Sequence, residues 1–191
     1  LHISFNNFKL RHICVFSIKK IMKLKKNLVL LGMMGCGKST IGTIISQKKK
    51  LIFLDIDKLI EKETNMKITE IFEKKSEKFF RNLEEKITLK SLNLSKKVIA
   101  LGGGAFLNEK IRKEVITNNY SVWLNCDSKT LISRLKNNKK RPLALNIPDN
   151  ELLELISKRS KIYSKSQFKI NCHKLTKNEI VKKIIDLYNN D

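Results

Sequence analysis

Residues that interrupt or cross-link a chain are scarce in this sequence. Its 191 residues include two prolines and seven glycines, so no Pro- or Gly-rich linker separates one domain from another. We also find no internal repeat. A chain of this length suits one domain with a buried core, and we expect that domain to span residues 27–191.

Cysteine and histidine are also few. No two of the four cysteines have C-x-x-C spacing, and the three histidines form no ligand cluster in the sequence. The pattern argues against a disulfide framework and against a zinc site built by the protein. It favours a reducing compartment, and we expect a cytoplasmic location.

Long apolar runs are missing. The longest ones, such as residues 28–31, have the length of a strand, whereas a membrane span needs roughly 20 apolar residues. With 41% apolar and 30% charged residues, the composition is that of a soluble globular protein. We therefore expect no membrane partner.

Acidic residues are outnumbered, with 18 Asp and Glu against 40 Lys and Arg, for a formal net charge of +22. One interpretation is nucleic-acid binding. The lysines are scattered along helical segments, however, together with abundant Asn and Ile, as an AT-rich coding sequence would produce. We therefore expect solvated helix faces and no nucleic-acid partner. The excess charge can still steer anionic substrates.

Residues 1–26 contain seven Lys or Arg and no acid. We interpret them as a basic, poorly ordered N-terminal extension upstream of a start at Met22. A transit peptide is the alternative, because such peptides are basic and poor in acids.

Short apolar runs alternate with helical patterns along the rest of the chain. This alternation predicts an α/β fold, a three-layer α/β/α sandwich around a five-stranded parallel sheet. The predicted strands are 25–31, 51–54, 98–101, 121–124 and 168–172. The predicted helices are 38–48, two or three within 57–94, 109–118, 128–136, 151–165 and 177–188, with a loop over 141–150.

A phosphate-binding motif follows the first predicted strand. Residues 32–39, GMMGCGKS, match G-x-x-x-x-G-K-[ST], with a strand before and a helix after. Glycines let backbone N–H groups turn toward phosphate oxygens, and the helix N-terminus adds a positive dipole. We predict ATP binding by Gly35, Cys36, Gly37, Lys38, Ser39 and Thr40. Lys38 is expected to reach the β- and γ-phosphates, and the Ser39 hydroxyl to bind Mg²⁺.

Cys36 lies inside this motif and has two interpretations. It can be a nucleophile, or it can be a small residue that fills a tight turn. We favour the second.

Two carboxylates, Asp55 and Asp57, follow the second predicted strand. Strand alternation would place them on the same side, at the edge where parallel sheets bind ligands. One can support a metal ion while the other holds or deprotonates an alcohol. The alternative is that Asp57 only caps the following helix.

Two further motifs suggest an acceptor site. Arg81 and Glu84 are three residues apart on a predicted helix, so the carboxylate can orient the guanidinium toward a substrate carboxylate. Gly102, Gly103 and Gly104 end the third strand, where glycine lets the backbone approach a ligand. A surface ion pair and a flexible turn are the alternatives.

In combination these motifs resemble the shikimate kinase family. The P-loop, D-x-D, F-R-x-x-E-E, G-G-G-A and R-P-L occur in the family's order, over roughly residues 28–188. The P-loop is generic, whereas the other motifs in combination are specific to this group. The resemblance implies a P-loop fold like that of nucleoside monophosphate kinases. It also implies transfer of the ATP γ-phosphoryl group to the 3-hydroxyl of shikimate, a step of chorismate and aromatic amino acid biosynthesis.

The resemblance also implies roles for individual residues. Asp57 would hold shikimate hydroxyls and act as base, and Arg81 and Arg159 would bind the carboxylate. The glycines at 102–104 would contact the ring hydroxyls, and Ser39 and Asp55 would support Mg²⁺. Arg141, in a lid over about 137–150, would stabilise the transferring group, and Arg134 would lie near the adenine or phosphates. Helices within about 57–94 would bind the acceptor. Arg134, Arg141 and Arg159 can instead be surface cations.

Two other functions stay open. A related kinase could phosphorylate gluconate or a nucleotide, although a set of Asp57, Arg81, Gly103 and Arg159 suits a small carboxylated polyol better. A non-catalytic nucleotide- or nucleic-acid-binding module could use the net charge, although the complete P-loop argues against it. We expect a monomer with shikimate and MgATP as its small-molecule partners.

Overall fold

The computed structural model describes residues 26–137 and 147–189. Five strands alternate with eight α-helices over this part of the chain. The strands are β1 (Leu28–Leu31), β2 (Ile52–Asp55), β3 (Lys97–Ala100), β4 (Tyr120–Asn125) and β5 (Phe168–Asn171). The helices are α1 (Lys38–Lys49), α2 (Ile56–Thr64), α3 (Ile68–Lys74), α4 (Glu77–Leu92), α5 (Glu109–Asn118), α6 (Ser128–Lys136), α7 (Asp149–Tyr163) and α8 (Lys177–Asn189). A short 3₁₀ helix covers Ala105–Leu107.

All five strands pair in parallel, in the order β2-β3-β1-β4-β5. Strand β1 is central, and its four apolar residues are fully buried. This burial explains its uninterrupted Leu-Val-Leu-Leu sequence, because a strand covered on both faces has no polar side.

Helices cover both faces of the sheet. Helix α1 packs on β2 and β3 and also contacts α8, whereas α5 packs on β4 and against α4. The strand order requires the connection β1-α1-β2 to run one way along the sheet and the later connections to run the other way. Right-handed crossovers then place α1 and the later crossover helices on opposite faces.

The predicted α/β/α fold with a five-stranded parallel sheet is confirmed. Three helices occupy the segment that was expected to hold two or three. The predicted loop over 141–150 is wrong at its end, because α7 already begins at Asp149. The 3₁₀ helix after the triple glycine was not predicted.

Parts of two predicted segments lie outside the described residues: residues 1–25 of the basic extension and residues 138–146 of the lid, Arg141 included. Within the described ranges, no helix combines the length and apolar character that crossing a membrane requires.

Candidate active site

The P-loop joins β1 to α1 through glycines in unusual conformations. Gly35 and Gly37 have φ of 82° and 99°, a left-handed region that other residues rarely adopt. Gly37 directly precedes α1, which begins at Lys38 without a side-chain cap. The loop therefore ends at a helix N-terminus, where backbone N–H groups and the helix dipole favour an anion.

Lys38 folds back over this loop. Its ammonium group donates to the carbonyl oxygens of Gly32 at 2.8 Å and Met33 at 3.1 Å. These bonds hold the positive charge beside the loop. To contact a phosphate, the ammonium group must exchange at least one of these carbonyls for a phosphate oxygen.

Ser39 and Asp55 bring the P-loop and the second strand together. The Ser39 hydroxyl donates to Oδ2 of Asp55 at 2.5 Å, and Oδ1 of Asp55 accepts from the Lys58 N–H at 3.4 Å. Asp55, not Asp57, is therefore the N-cap of α2. The alternative that Asp57 serves only as a helix cap is wrong.

Asp57 lies in the first turn of α2, because β2 ends at Asp55. Strand alternation was thus the wrong reason to place the two carboxylates together, although they do share one cavity. This cavity has a volume of about 240 Å³. Its lining comprises Met34, Gly35, Gly37, Lys38, Ser39, Thr40, Asp55, Asp57, Ala100, Leu101 and Gly103.

The triple glycine forms one wall of the site, next to the P-loop, and each glycine lies close to a different charged side chain. A Cβ at Gly102 would lie 2.6 Å from Oε1 of Glu84 and 2.8 Å from Oδ1 of Asp57. A Cβ at Gly104 would lie 2.6 Å from Nη1 of Arg81. Only glycine leaves space for these groups, so the backbone and the charged side chains stand in direct contact.

Gly103 connects this wall to the P-loop. A Cβ there would lie 3.4 Å from Nη1 of Arg159 and 3.5 Å from the backbone nitrogen of Met34. Gly103 and Asp57, two of the predicted acceptor residues, therefore line the same cavity as the P-loop.

Arg81 is held by two carboxylates of its own helix. Its Nη1 donates to Glu84 at 2.8 Å, and its Nε and Nη2 donate to Glu77 at 3.2 and 3.1 Å. Glu84 is 3% exposed, and burial raises its pKa against the opposing effect of Arg81. The pKa of Arg81 is also raised, because its bonds to these carboxylates outweigh its own desolvation. The predicted orientation of Arg81 by Glu84 is confirmed.

Tyr163 is a residue of this site that the sequence did not reveal. Its hydroxyl donates to the carbonyl of Gly103 at 2.5 Å, and it lies one helical turn after Arg159 on α7. Burial raises its pKa, so the hydroxyl stays a donor. Helical spacing from Arg159 was the available signal, but the Gly103 carbonyl is 60 residues away in the sequence.

Arg159 has an unused donor. Its Nε is buried and finds no hydrogen-bond partner among the described residues, while Nη1 lies 4.0 Å from the Met33 sulfur. A buried N–H donor with no acceptor is costly unless an acceptor reaches it. Arg159 is therefore suited to an anionic ligand.

Arg134 and Cys36 both contact the P-loop. Arg134 donates through Nη1 to the Gly35 carbonyl at 3.3 Å, which places its charge beside the loop. Cys36 is buried, and this burial raises the pKa of its thiol. A nucleophilic cysteine needs a lowered pKa, so the interpretation of Cys36 as a packing residue is favoured.

The oxygen donors of this site fit a hard divalent cation such as Mg²⁺. Ser39 offers a hydroxyl and Asp55 a carboxylate, and Mg²⁺ in kinases takes one or two such ligands with phosphate oxygens and water. Over residues 26–137 and 147–189, no group of three or more His, Cys, Asp or Glu side chains is arranged to bind a metal ion. A metal ion at Ser39 and Asp55 would thus depend on the phosphates for its remaining ligands.

Comparison with known proteins identifies the family. The family model for shikimate kinase matches residues 34–189. A shikimate kinase of Sulfurihydrogenibium sp. is 40% identical over 160 residues, which cover 84% of this chain and 96% of that protein. A solved structure, shikimate kinase from Acinetobacter baumannii in complex with shikimate, superposes with a TM-score of 0.82 at 29% identity. The match covers 90% of this chain and 97% of that one.

A gluconokinase from Sinorhizobium meliloti is also similar in structure. Its TM-score is 0.60 at 18% identity, over 87% of this chain and 95% of that chain. At this identity the likeness shows a shared fold and nothing about the acceptor. The family match and the site geometry agree, and together they show that this chain belongs to the shikimate kinase family of phosphotransferases.

Proposed function

We propose that this protein transfers the γ-phosphoryl group of MgATP to the 3-hydroxyl of shikimate, giving shikimate 3-phosphate and ADP. The observation that carries the proposal is the position of Asp57. This residue lines the phosphate cavity, and its carboxylate also lies at Gly102 beside Glu84, where the triple glycine passes next to the P-loop. An alcohol held by Asp57 would therefore face the end of the phosphate chain.

The P-loop supports nucleotide binding. Backbone N–H groups from Gly35 to Thr40, with the N-terminus of α1, are suited to the phosphate oxygens. Lys38 would leave its loop carbonyls to neutralise the β- and γ-phosphates. Arg134 beside Gly35 would contribute charge on the outer side of the loop.

The metal would be Mg²⁺, held by the Ser39 hydroxyl, with Asp55 acting directly or through water. When bound, Mg²⁺ would neutralise charge on the phosphates. The Asp55 carboxylate already accepts a hydrogen bond from the Ser39 hydroxyl at 2.5 Å, so the two groups lie side by side.

Arg81 and Arg159 support the choice of a carboxylated acceptor. They approach the triple glycine at neighbouring positions, Gly104 and Gly103. Arg81 is fixed by Glu77 and Glu84, and the buried Nε of Arg159 has no hydrogen-bond partner within residues 26–137 and 147–189. Two oriented guanidinium groups can bind one carboxylate through several charge-assisted hydrogen bonds. Gluconate offers a carboxylate too, but a flexible chain would lose more conformational freedom than a ring on binding.

Catalysis would rest on positioning and on charge neutralisation. Asp57 would orient the acceptor hydroxyl and take its proton as the hydroxyl attacks in line. Arg141, which lies outside the described residues, would stabilise the transferring group from the lid. Lid closure would exclude water and so limit hydrolysis of ATP.

Site variants in a coupled ADP-release assay test this proposal. For Asp57→Asn we expect kcat to fall by about 10²- to 10⁴-fold, the usual contribution of a general base. For Arg81→Ala we expect KM for shikimate to rise by about 10- to 100-fold, as for a lost charge-assisted hydrogen bond.

Asp186→Asn is a matched control, because Asp186 is an exposed carboxylate on α8 outside the cavity lining. It should leave both parameters unchanged. Wild-type turnover in Asp57→Asn would refute the role of Asp57 as base. An unchanged KM in Arg81→Ala would refute the carboxylate site.

A further inference from the structure

Three consecutive residue pairs lie at the ends of β4 and β5 and directly beyond them. Asn125 and Asn171 are register partners, and their side chains bond at 2.9 Å. Two residues further on, His173 contacts Asp127 at 3.4 Å. Cys126 and Cys172 occupy the position between these pairs, and the Cys172 N–H donates to the Asn125 carbonyl at 2.8 Å. The parallel register therefore sets the two cysteines side by side.

Cys126 also contacts the nucleotide loop. Its thiol donates to the carbonyl oxygen of Cys36 at 3.6 Å, across 90 residues of sequence. Cys126 is buried, whereas Cys172 is partly exposed, and both are free thiols. The pair thus connects the surface at β5 to the backbone of the P-loop.

We propose that Cys126 and Cys172 form a redox-sensitive pair, which a peroxide closes into a disulfide and which then weakens nucleotide binding at the P-loop. The effect on catalysis rests on the proposed kinase activity. Formation of the disulfide and its effect on nucleotide affinity do not.

The backbone geometry suits this bond. Neighbouring strands lie about 4.8 Å apart, and disulfides need a Cα separation of roughly 4.4–6.8 Å. Residues in register also direct their side chains to the same face of the sheet. The bond can therefore form without moving either strand by much.

The local charges suit the chemistry as well. The pKa of Cys126 is lowered from its ordinary value, first by a hydrogen bond from the Cys172 thiol and also by the charges of Arg134 and Lys38. Cys172 has a raised pKa, because its proton is shared with the Cys126 sulfur and because it is partly buried. The positive charges near Cys126 favour its thiolate, which is the form of cysteine that attacks a peroxide.

Oxidation would proceed in two steps. The Cys126 thiolate attacks one oxygen of hydrogen peroxide, the O–O bond breaks, and a sulfenic acid forms while hydroxide leaves and takes a proton to become water. The Cys172 sulfur then attacks the sulfenic sulfur, an S–S bond forms, and the S–O bond breaks. The departing hydroxide takes the Cys172 proton. Two thiols and one peroxide thus give one disulfide and two waters.

The disulfide would alter the P-loop through Cys36. Cys126 would lose the S–H group that donates to the Cys36 carbonyl, and its sulfur would be drawn toward Cys172. The carbonyl of a loop residue that cradles phosphate would then be left with one donor fewer. Loss of one weak donor predicts a rise of about two- to fivefold in the nucleotide dissociation constant.

The test combines peptide mapping with nucleotide titration on the full chain. Hydrogen peroxide is added to the wild type, to Cys172→Ser, and to Cys14→Ser, which keeps the pair and serves as the control. Tryptic peptides 114–129 and 170–174 each contain one of the two cysteines. The dissociation constant of a fluorescent ATP analogue is measured before oxidation, after it, and after dithiothreitol, with no acceptor present.

We expect the two peptides to be linked in the wild type and in Cys14→Ser, with weaker nucleotide binding that dithiothreitol restores. In Cys172→Ser we expect no link and a sulfenic acid on Cys126 that dimedone traps. The proposal is overturned if the peptides stay unlinked in the wild type. It is equally overturned if linkage leaves the dissociation constant unchanged. None of these readouts depends on shikimate, so failure of the proposed function would be seen separately.

Discussion

At the scale of single residues, the site is organised by contacts between charged side chains and glycine backbone. Gly102 and Gly104 leave space for Asp57, Glu84 and Arg81 that any Cβ would occupy. These residues could be predicted because each stands in a short local motif. Tyr163 could not, because its role depends on a carbonyl 60 residues away, and helical spacing alone does not reveal such a partner.

Tyr163 provides a test of how far backbone positioning matters. In Tyr163→Phe the Gly103 carbonyl loses its donor, so the triple-glycine wall should be held less firmly. We expect kcat/KM for shikimate to fall by about three- to tenfold and the free energy of unfolding to fall by about 1 kcal/mol. Steady-state kinetics and urea denaturation measure the two effects.

Tyr188→Phe is the matched control, because the Tyr188 hydroxyl also donates to a backbone carbonyl, that of Lys26 at 3.1 Å. It should lose similar stability while its kinetics stay at the wild-type level. Equal kinetic losses in both variants would contradict the positioning role of Tyr163.

At the scale of helices and strands, element types were predictable and their ends were less so. Helices α5 and α6 begin and end at the predicted residues, and each begins directly after a residue whose side chain caps it, Asn108 or Asp127. The D-x-D motif was harder to place. Both aspartates precede or begin α2, and only the hydrogen bond of Asp55 to Lys58 shows which one is the cap.

Asp127 makes the stability of α6 dependent on pH. It accepts from the Thr130 N–H at 2.8 Å, and this bond is the main reason that its pKa is lowered to about 2, with His173 contributing less. The pKa is below the ordinary carboxyl value, so the stabilisation is present above about pH 4 and is lost as pH falls through about 2.

We therefore expect Asp127→Ala to lower Tm at neutral pH by about 2–4 °C, and the difference from wild type to shrink between about pH 4 and pH 2. Thermal denaturation followed by circular dichroism checks both points. Asp127→Asn keeps a hydrogen-bond acceptor for the cap, so its Tm at neutral pH should fall by less than that of Asp127→Ala. A Tm difference between wild type and Asp127→Ala that stays constant over this pH range would contradict the capping role of the Asp127 carboxylate.

At the scale of the whole molecule, the sequence predicted a parallel sheet but not its strand order. The order β2-β3-β1-β4-β5 depends on which strands meet after folding, and no local pattern encodes that. The order matters for function, because it places β1 between β3 and β4. The P-loop that follows β1 therefore lies beside the triple glycine that follows β3.

The net charge of +22 should act on stability through the whole molecule. Like charges repel in the compact state, and salt screens that repulsion. We expect Tm to rise steadily from about 20 mM to about 500 mM NaCl, as the Debye length shortens from about 20 Å to about 4 Å. Lys38→Ala should show the same rise, which separates screening from anion binding at the P-loop. A flat or falling Tm would contradict this account.

Shikimate is the proposed phosphoryl acceptor, and a comparison of acceptors can show whether the enzyme uses it. The wild-type protein is given MgATP with shikimate, gluconate, AMP or no acceptor, ADP release is followed, and the phosphorylated product is identified by NMR. We expect fast turnover with shikimate alone and a product phosphorylated at the 3-hydroxyl. Turnover with gluconate or AMP would contradict the proposed function, and so would a rate of ADP release that does not depend on shikimate. Either result would leave the P-loop assignment intact.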